Sequence, residues 1–429
     1  MNKKSVVVVG GGFAGCGAAL AAAKAGANVV LLERTDLLLA GGMGAGRMNY
    51  NGKLVITEET KALGAGEIFA ALESIILHRG SIGEEHHGYV YNASIVEPTI
   101  RQLILKEKNI AVRFQSRAAQ VKAQGNHLTG VVLDGGEVVE GDTFIDCTGT
   151  TGGMSVCKKY GKGCVLCSWY RCPTYGDRVS VAAKAGAKEF HKRASDGSKG
   201  AIVAAILLLK DSMAPSLRQE LEGKGSLVIP LPHDLVDYSK RQNISSMGPM
   251  RQMESLNLVD IGTGAKCVRI GYLALEQLRS IPGLENVMVQ DPLSGGTFNA
   301  IKSVSMLQCD AALLVAGFDN LLCGGEKTGP GGGVAECIAL GIVAGHNAVR
   351  IACRMKPLVL PETLCLGDFI KYTGEMVLTP GGLDFNYHAG HGHYFDRMKQ
   401  LDLYTTDIDR IHRKVKDAGL DKTFSEKIV

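Results

Sequence analysis

The 429-residue sequence predicts an α/β fold, in which a Rossmann-like nucleotide-binding domain of parallel strands carries an inserted α+β domain. Three observations carry this expectation. The chain opens on a β-branched run, residues 5–9, that passes directly into GGGFAG. Two later segments, 144–152 and 319–350, again place an apolar strand before a glycine-rich turn. The 55 glycines follow no collagen-like period or low-complexity tract, and folds that bring backbone close to a ligand use glycine in this way.

The run SVVVV suits a buried parallel strand. In the turn after it, Gly10, Gly12 and Gly15 form G-x-G-x-x-G. Gly10 permits the tight turn, Gly12 lets backbone approach a pyrophosphate, and Gly15 lets the following helix pack closely on the strand. Phe13 and Ala14 lie where that helix starts, and its N-terminus offers unpaired N–H groups and a positive dipole end to phosphates. Gly26 is placed to end the helix. NVVLLER supplies the second strand and brings Glu33, beside Arg34, to a position where it can accept hydrogen bonds from a ribose. An acid there disfavours a 2′-phosphate and selects FAD or NAD over NADP. The glycine triplet alone is a weak signal, whereas strand, turn, helix, strand and acid in that order form a strong one.

The two later segments favour FAD. FIDCTGTTG returns a strand to the nucleotide at Thr148 and Gly149. Residues 319–350 give a strand, a turn with Gly325 and Glu326, and a long helix of small residues opening at Gly332, Gly333 and Val334. Gly341, Gly345 and Ala348 share a face of that helix, which predicts close approach to the sheet. Its N-terminus would face a flavin edge that gains negative charge on reduction, with Glu326 against the ribityl chain. An NAD-only enzyme has little use for a third nucleotide contact so late in the chain. GGMGAGRMNY (41–50) adds Gly42 and Met43 beside the pyrophosphate and flavin.

CKKYGKGCVLCSWYRCP (157–173) gathers four of the twelve cysteines, Cys157, Cys164, Cys167 and Cys172, with the only tryptophan. Closely spaced cysteines ending in C-P hold iron–sulfur clusters. Four thiolates also suit zinc, the Cys164 and Cys167 pair forms a C-x-x-C dithiol, and simple packing is the fourth alternative. Four basic residues, Lys158, Lys159, Lys162 and Arg171, would stabilise thiolates or an anionic cluster. A [4Fe–4S] cluster exchanging single electrons with the flavin is the leading expectation. Catalytic candidates are Cys164 and Cys167, together with His86 and His87 of EEHHGY (84–89) and His388 of YHAGHGHYF (387–395). The H-x2-H-x-H pattern of the last segment suits a loop lining the substrate pocket better than a metal site.

Hydrophobic content of 45% with 21% charge is that of a globular chain, and a net charge of +4 does not by itself argue for nucleic acid. The strip Arg410, His412, Arg413, Lys414 and Lys416 reads as a solvated helix face, with Thr406 or Asp407 as the cap. No secretory signal opens the chain, and the longest apolar run (201–209) is too short to span a bilayer. A cytoplasmic protein with free thiols and no membrane partner is expected. Residues 1–50, 90–150 and 285–355 would build a discontinuous FAD domain. Residues 51–89 would form a cap, 151–284 the inserted substrate domain with the cysteine cluster, and 356–429 a closing segment.

ALEQLRSIPGLENV (274–287), GTFNAIKSVSML (296–307) and residues 320–350 resemble the glucose-inhibited division protein A group of FAD proteins. SSMGPMR (245–251), with PETLCLGDFIKYTGEM (361–376) and LDFNYHAG (383–390), is similar to its branch of folate- and FAD-dependent tRNA uracil-5-methyltransferases. GGMGAG and FIDCTG resemble the wider FAD-dependent oxidoreductases of glutathione reductase type. In the methyltransferase branch, cysteines in two segments support methyl transfer. Here no cysteine lies between Cys16 and Cys147, or between Cys172 and Cys267. The resemblance therefore implies FAD binding, and the expected activity is that of an FAD-dependent oxidoreductase. Its partner would be a small-molecule substrate or a redox protein, with NADH or a folate as candidate co-substrate and a homo-oligomer as the assembly. The alternatives are a folate-dependent RNA methyltransferase whose thiol has moved to Cys147 or Cys267, and an RNA-binding flavoprotein without turnover.

Overall fold

Five short runs of β-branched and aliphatic residues form one parallel sheet in the order Leu321–Cys323, Thr143–Asp146, Ser5–Val9, Asn28–Leu32 and Ile110–Arg113. Val6 to Val9 and all of Thr143–Asp146 are buried, as a sheet covered on both faces requires. This computed structural model describes residues 3–39, 47–49, 51–81, 87–149, 151–152, 179–191, 201–203, 206–236, 254–262, 264–268, 273, 275–289, 301–329, 333–384, 387–390 and 393–429. The expected FAD-binding Rossmann-like fold is present.

Helix Phe13–Lys24 connects the first two strands, and Val96–Lys106 precedes the strand Ile110–Arg113. Gly26 follows the first helix at φ +102°, a conformation that only glycine adopts readily, and its N–H bonds to the Ala23 carbonyl. The chain's last residue returns to this corner, with the Val429 N–H on the Ala25 carbonyl at 3.0 Å.

The long helix Val334–Ala352 packs on the first helix, backbone against backbone. A Cβ at Gly341 would lie 2.0 Å from the Ala14 carbonyl oxygen, and one at Gly345 would lie 2.2 Å from that of Ala18. The small-residue face therefore meets the first helix, where the sequence pointed to the sheet. Only its third member turns that way, since the Ala348 carbonyl accepts from Thr143 Oγ1 at 3.3 Å. Among the described residues this helix alone has the length and apolarity to cross a membrane, and it is the buried core helix.

Between the second strand and Val96–Lys106 lie helices Asn51–Ala62 and Glu67–Glu73 and an antiparallel sheet of Arg47–Asn49, His87–Tyr91 and Ile76–Ser81. A second antiparallel sheet runs in the order Ile206–Leu209, Gly264–Val268, Ser255–Asp260 and Ser226–Pro230. Helix Pro215–Lys224 accompanies it and ends on the left-handed Gly225. Leu284 and Val287 pack with Leu256 and Leu258 of this sheet. Strand Ile301–Leu307 pairs with Thr151–Gly152, Glu189–His191 and Ala201–Val203, so the chain rejoins the parallel sheet only at Leu321.

The tail supplies helices Cys365–Leu378, His393–Gln400 and Ile408–Asp417. Asp407 is the cap of the last one, accepting from the Arg410 N–H at 3.1 Å. Its basic face is partly paired, Arg410 with Asp402 and His412 with Glu58 at 3.1 Å. Glu59, buried on helix Asn51–Ala62, holds the start of Cys365–Leu378 through the Cys365 N–H at 2.7 Å and the Leu366 N–H at 2.8 Å.

Burial outweighs those two bonds and pushes the Glu59 carboxyl from 4.5 to about 7. A pKa raised in the folded state adds stability that is complete below about 4.5 and is lost as pH rises through 7. Thermal denaturation of the apoprotein is expected to show stability falling across this window, with a shallower slope in Glu59→Gln. An unchanged slope would contradict the assignment.

Candidate FAD site

Gly10 turns the chain at φ +107°, with its N–H on the Leu32 carbonyl at 2.8 Å. A Cβ at Gly15 would fall 1.8 Å from the Gly10 carbonyl oxygen, so the turn and the helix need glycine at both ends. Gly12 differs, because among the described residues a Cβ there meets no atom within 4 Å. No side chain caps the helix that starts after Gly12, which leaves its first N–H groups facing this open space. A phosphate cradle has this form.

Glu33 is buried and braces the turn. Its Oε2 accepts from the Gly11 N–H at 2.8 Å, and its Oε1 accepts from the Thr35 N–H and hydroxyl at 2.8 and 2.9 Å. Three donors leave acceptor capacity on a carboxylate for a ribose hydroxyl. Arg34 is exposed. The chain then returns to the cradle, with the Leu39 N–H on the Gly11 carbonyl at 2.9 Å and the Leu38 N–H on Glu97 at 3.0 Å. Arg101 holds Glu97 in turn at 2.8 Å. Neither residue has a sequence signal beyond i,i+4 spacing on a helix. Phe13 turns its ring into the core against Tyr91, so its contribution to a cofactor comes through the backbone.

The three glycine-rich segments meet. A Cβ on Gly10 would lie 2.4 Å from the Cys147 carbonyl oxygen, one on Gly324 3.0 Å from Cys147 Sγ, and one on Gly325 2.8 Å from the Ala14 Cβ. Thr148 bonds to Asp146 Oδ1 through its N–H (3.0 Å) and hydroxyl (2.6 Å), and among the described residues no atom lies within 4 Å of a Cβ placed on Gly149, whose φ is +74°. Beneath them lies a fully buried ion pair, Lys327 Nζ to Asp146 Oδ1 at 2.8 Å. Burial alone would raise the Asp146 carboxyl, but the Lys327 charge and the Ala182 N–H hold it below the usual range. Glu326 is half-buried beside this pair.

Gly333 precedes the long helix with no side-chain cap, and Glu336 lies buried in the first turn that Val334 opens. The tail reaches this turn: the Ala389 N–H donates to Glu336 Oε1 at 3.1 Å, and His388 Nδ1 lies 3.8 Å from the same oxygen. Helix Cys365–Leu378 closes on the other side, where a Cβ at Gly329 would meet Thr373 Oγ1 at 2.6 Å. His388 is thus brought to the second helix N-terminus.

Gly42, Met43, Gly332, His86, Cys157, Cys164, Cys167 and Cys172 lie outside the described residues, as do the side chain of His87 and all of SSMGPMR. Among the described residues no group of three or more His, Cys, Asp or Glu is arranged to hold a metal. Cys147 and Cys267 are both buried, and burial pushes the Cys147 thiol well up, away from the thiolate that a relocated methyl-transfer nucleophile needs.

The open space at Gly12 gives a clean test of the cradle. Gly12→Ala is expected to leave the apoprotein's melting temperature unchanged while weakening FAD binding by ~2 kcal/mol, an ordinary overpacking cost. Wild-type affinity in this variant would move the cofactor elsewhere.

The sequence profile of FAD-dependent oxidoreductases matches residues 5–154, and that of glucose-inhibited division protein A matches residues 272–356. Over these two segments the chain is similar to those families. The tRNA uridine 5-carboxymethylaminomethyl modification enzyme of Chlorobium chlorochromatii is 25% identical over 417 residues, 83% of this chain and 64% of that one. The present chain therefore spans just under two thirds of that relative's length. The methylenetetrahydrofolate–tRNA-(uracil-5-)-methyltransferase of Lysinibacillus sphaericus is 34% identical over 102 residues, 23% of this chain and 22% of that one. A solved structure of Aquifex aeolicus glucose-inhibited division protein A matches the fold with a TM-score of 0.65, covering 97% of this chain and 76% of that one at 16% identity. The matched oxidoreductase family and the cradle agree on FAD as the cofactor.

Proposed function

We propose that this protein is an FAD-dependent enzyme that modifies carbon 5 of a uridine in tRNA. One observation carries the reading: a relative named for tRNA uridine 5-modification aligns over 83% of a chain whose glycine-rich segments converge on an FAD cradle. The second relative is also named for carbon 5 of a tRNA uracil. Both support the RNA-directed alternative over a flavoenzyme that only passes electrons to a small molecule or protein. RNA, for which the mild charge does not by itself argue, becomes the proposed partner. We place the enzyme in the cytoplasm as a homo-oligomer.

Bound FAD, once reduced by an external hydride donor such as NADH, would supply hydride. Of the chain's own groups, the N–H groups after Gly12 would hold the pyrophosphate and Glu33 the adenosine ribose. The helix N-terminus after Gly333 would steady negative charge on the flavin edge. His388, resting against Glu336, is the group we assign to move a proton at the substrate, and loop 387–390 would shield it from water. In this reading residues 1–50, 90–150 and the segment from Leu321 to about 355 form the FAD domain, with 51–89 as cap and 356–429 as closing segment.

The test supplies FAD-loaded protein with a tRNA transcript, a reductant and methylenetetrahydrofolate labelled in its methylene group. Nucleoside mass spectrometry is expected to find the labelled carbon on uridine, and to find far less of it with His388→Gln. Unlabelled, unaltered uridine under these conditions would overturn the reading.

The four-cysteine segment carries a separate proposal, a [4Fe–4S] cluster on Cys157, Cys164, Cys167 and Cys172, on the strength of its spacing. About four iron and four sulfide per anaerobically purified chain are expected. One zinc, or no metal after reconstitution, would remove the cluster and leave the flavoenzyme.

A further inference from the structure

The Asp146–Lys327 pair has a role to be found. Both side chains are fully buried. A lysine ammonium has three N–H donors, and here all three are used: on Asp146 Oδ1 at 2.8 Å, Thr148 Oγ1 at 2.5 Å and Ser180 Oγ at 3.2 Å. The second carboxylate oxygen accepts from the Ala182 N–H at 3.0 Å and the Ser180 hydroxyl at 3.3 Å. Every partner is inside the protein.

A buried ion pair is poor evidence of stabilisation, because packed apolar residues of the same volume serve as well. What this one fixes is placement. Asp146 ends one strand of the parallel sheet and Lys327 follows its neighbour, Leu321–Cys323. Thr148 leads into Gly149, and Lys327 sits between Glu326 and Thr328 in the turn that Gly325 packs against Ala14. Ser180 caps Val181–Lys184, so the chain that leaves after Gly149 comes back to the same ammonium.

We propose that Asp146 and Lys327 are positioning residues of the cofactor site, a clasp that sets loop 147–149 and turn 325–328 at the spacing FAD requires. The inference rests on the FAD reading above and adds to it the groups that hold its second and third contact segments together. Neither residue need touch the cofactor. The clasp acts by removing the freedom of two loops to move apart, so that binding does not have to order them.

The test compares FAD dissociation constants and apoprotein melting temperatures by flavin fluorescence titration and calorimetry. Lys327→Met alone leaves a buried carboxylate without its counter-charge and is expected to be poorly folded. The double variant Asp146→Asn with Lys327→Met removes both charges. It is expected to melt near the wild-type temperature yet bind FAD at least about tenfold more weakly, since the ammonium no longer joins the loops. Ser180→Ala keeps the ion pair, takes away one of its three acceptors, and is expected to weaken FAD about fivefold, a hydrogen bond's worth. FAD affinity within twofold of wild type in both variants would overturn the clasp. Should the double variant not fold, Ser180→Ala decides alone. Wild-type protein that binds no FAD would refute the cofactor reading, a result distinguishable from any of these.

Discussion

Gly341→Leu is expected to leave the chain without a folded nucleotide-binding domain. The first Cβ atom alone would stand 2.0 Å from the Ala14 carbonyl oxygen and 2.7 Å from its carbon. These are backbone atoms of a buried helix, so no side chain can rotate away. The helices would have to separate along their whole length, since a Cβ on Gly345 would also lie 2.2 Å from the Ala18 carbonyl oxygen and one on Gly17 2.8 Å from that of Ile338. Separation would open the largest core in the molecule, to which Ala18, Ala22, Ile338 and Ile342 all belong. Overpacking usually costs 1–3 kcal/mol, but here nothing yields, and about 4 kcal/mol or more is expected. Insoluble expression, or a melting transition lowered beyond that of any surface glycine variant such as Gly136→Ala, is the expected result. A soluble protein with wild-type stability would mean that the two helices are not packed in this way.

Gly10→Ala should have the second largest effect, for two independent reasons. At φ +107° an L-residue is strained by on the order of 1–3 kcal/mol even in free space. The added Cβ also meets the Cys147 carbonyl oxygen at 2.4 Å, which joins the first turn to the strand carrying Asp146. The variant is expected to lose both stability and FAD, whereas Gly12→Ala loses FAD alone. Equal behaviour of the two variants in apoprotein melting would contradict the geometry of the turn.

Residues 5–33 are legible because strand, turn, helix and strand follow one another within 33 positions. Their glycines are less local than they look, since a Cβ on Gly10 would meet the Cys147 carbonyl and one on Gly17 that of Ile338. The stripe of Gly341, Gly345 and Ala348 announced close packing but could not say against what, because a helix face records only that its neighbour is near. Its partner turned out to be the first helix, more than 300 residues away in sequence. Asp146 and Lys327 illustrate a harder case. They are 181 residues apart, and a lysine in GGEKTG reads as a solvated turn residue until the fold buries it. Strand Ile301–Leu307 resembled the FAD elements around it, yet its hydrogen bonds run to Glu189–His191 and Ala201–Val203, a choice made by long-range pairing that the sequence does not display. The expectation of an electron-transfer reaction rests on the four-cysteine segment and on the cysteines missing from the methyl-transfer positions. Relatives named for tRNA uridine modification outweigh that expectation, because cysteine placement bears only weakly on the choice of substrate.

The most direct measurement is an FAD titration of purified apoprotein, followed by flavin absorbance and by the change in melting temperature. One FAD per chain, bound tightly by wild type and weakened in Gly12→Ala without loss of apoprotein stability, is the result predicted by a cradle at residues 10–15. A folded chain that stays colourless at saturating FAD would contradict it.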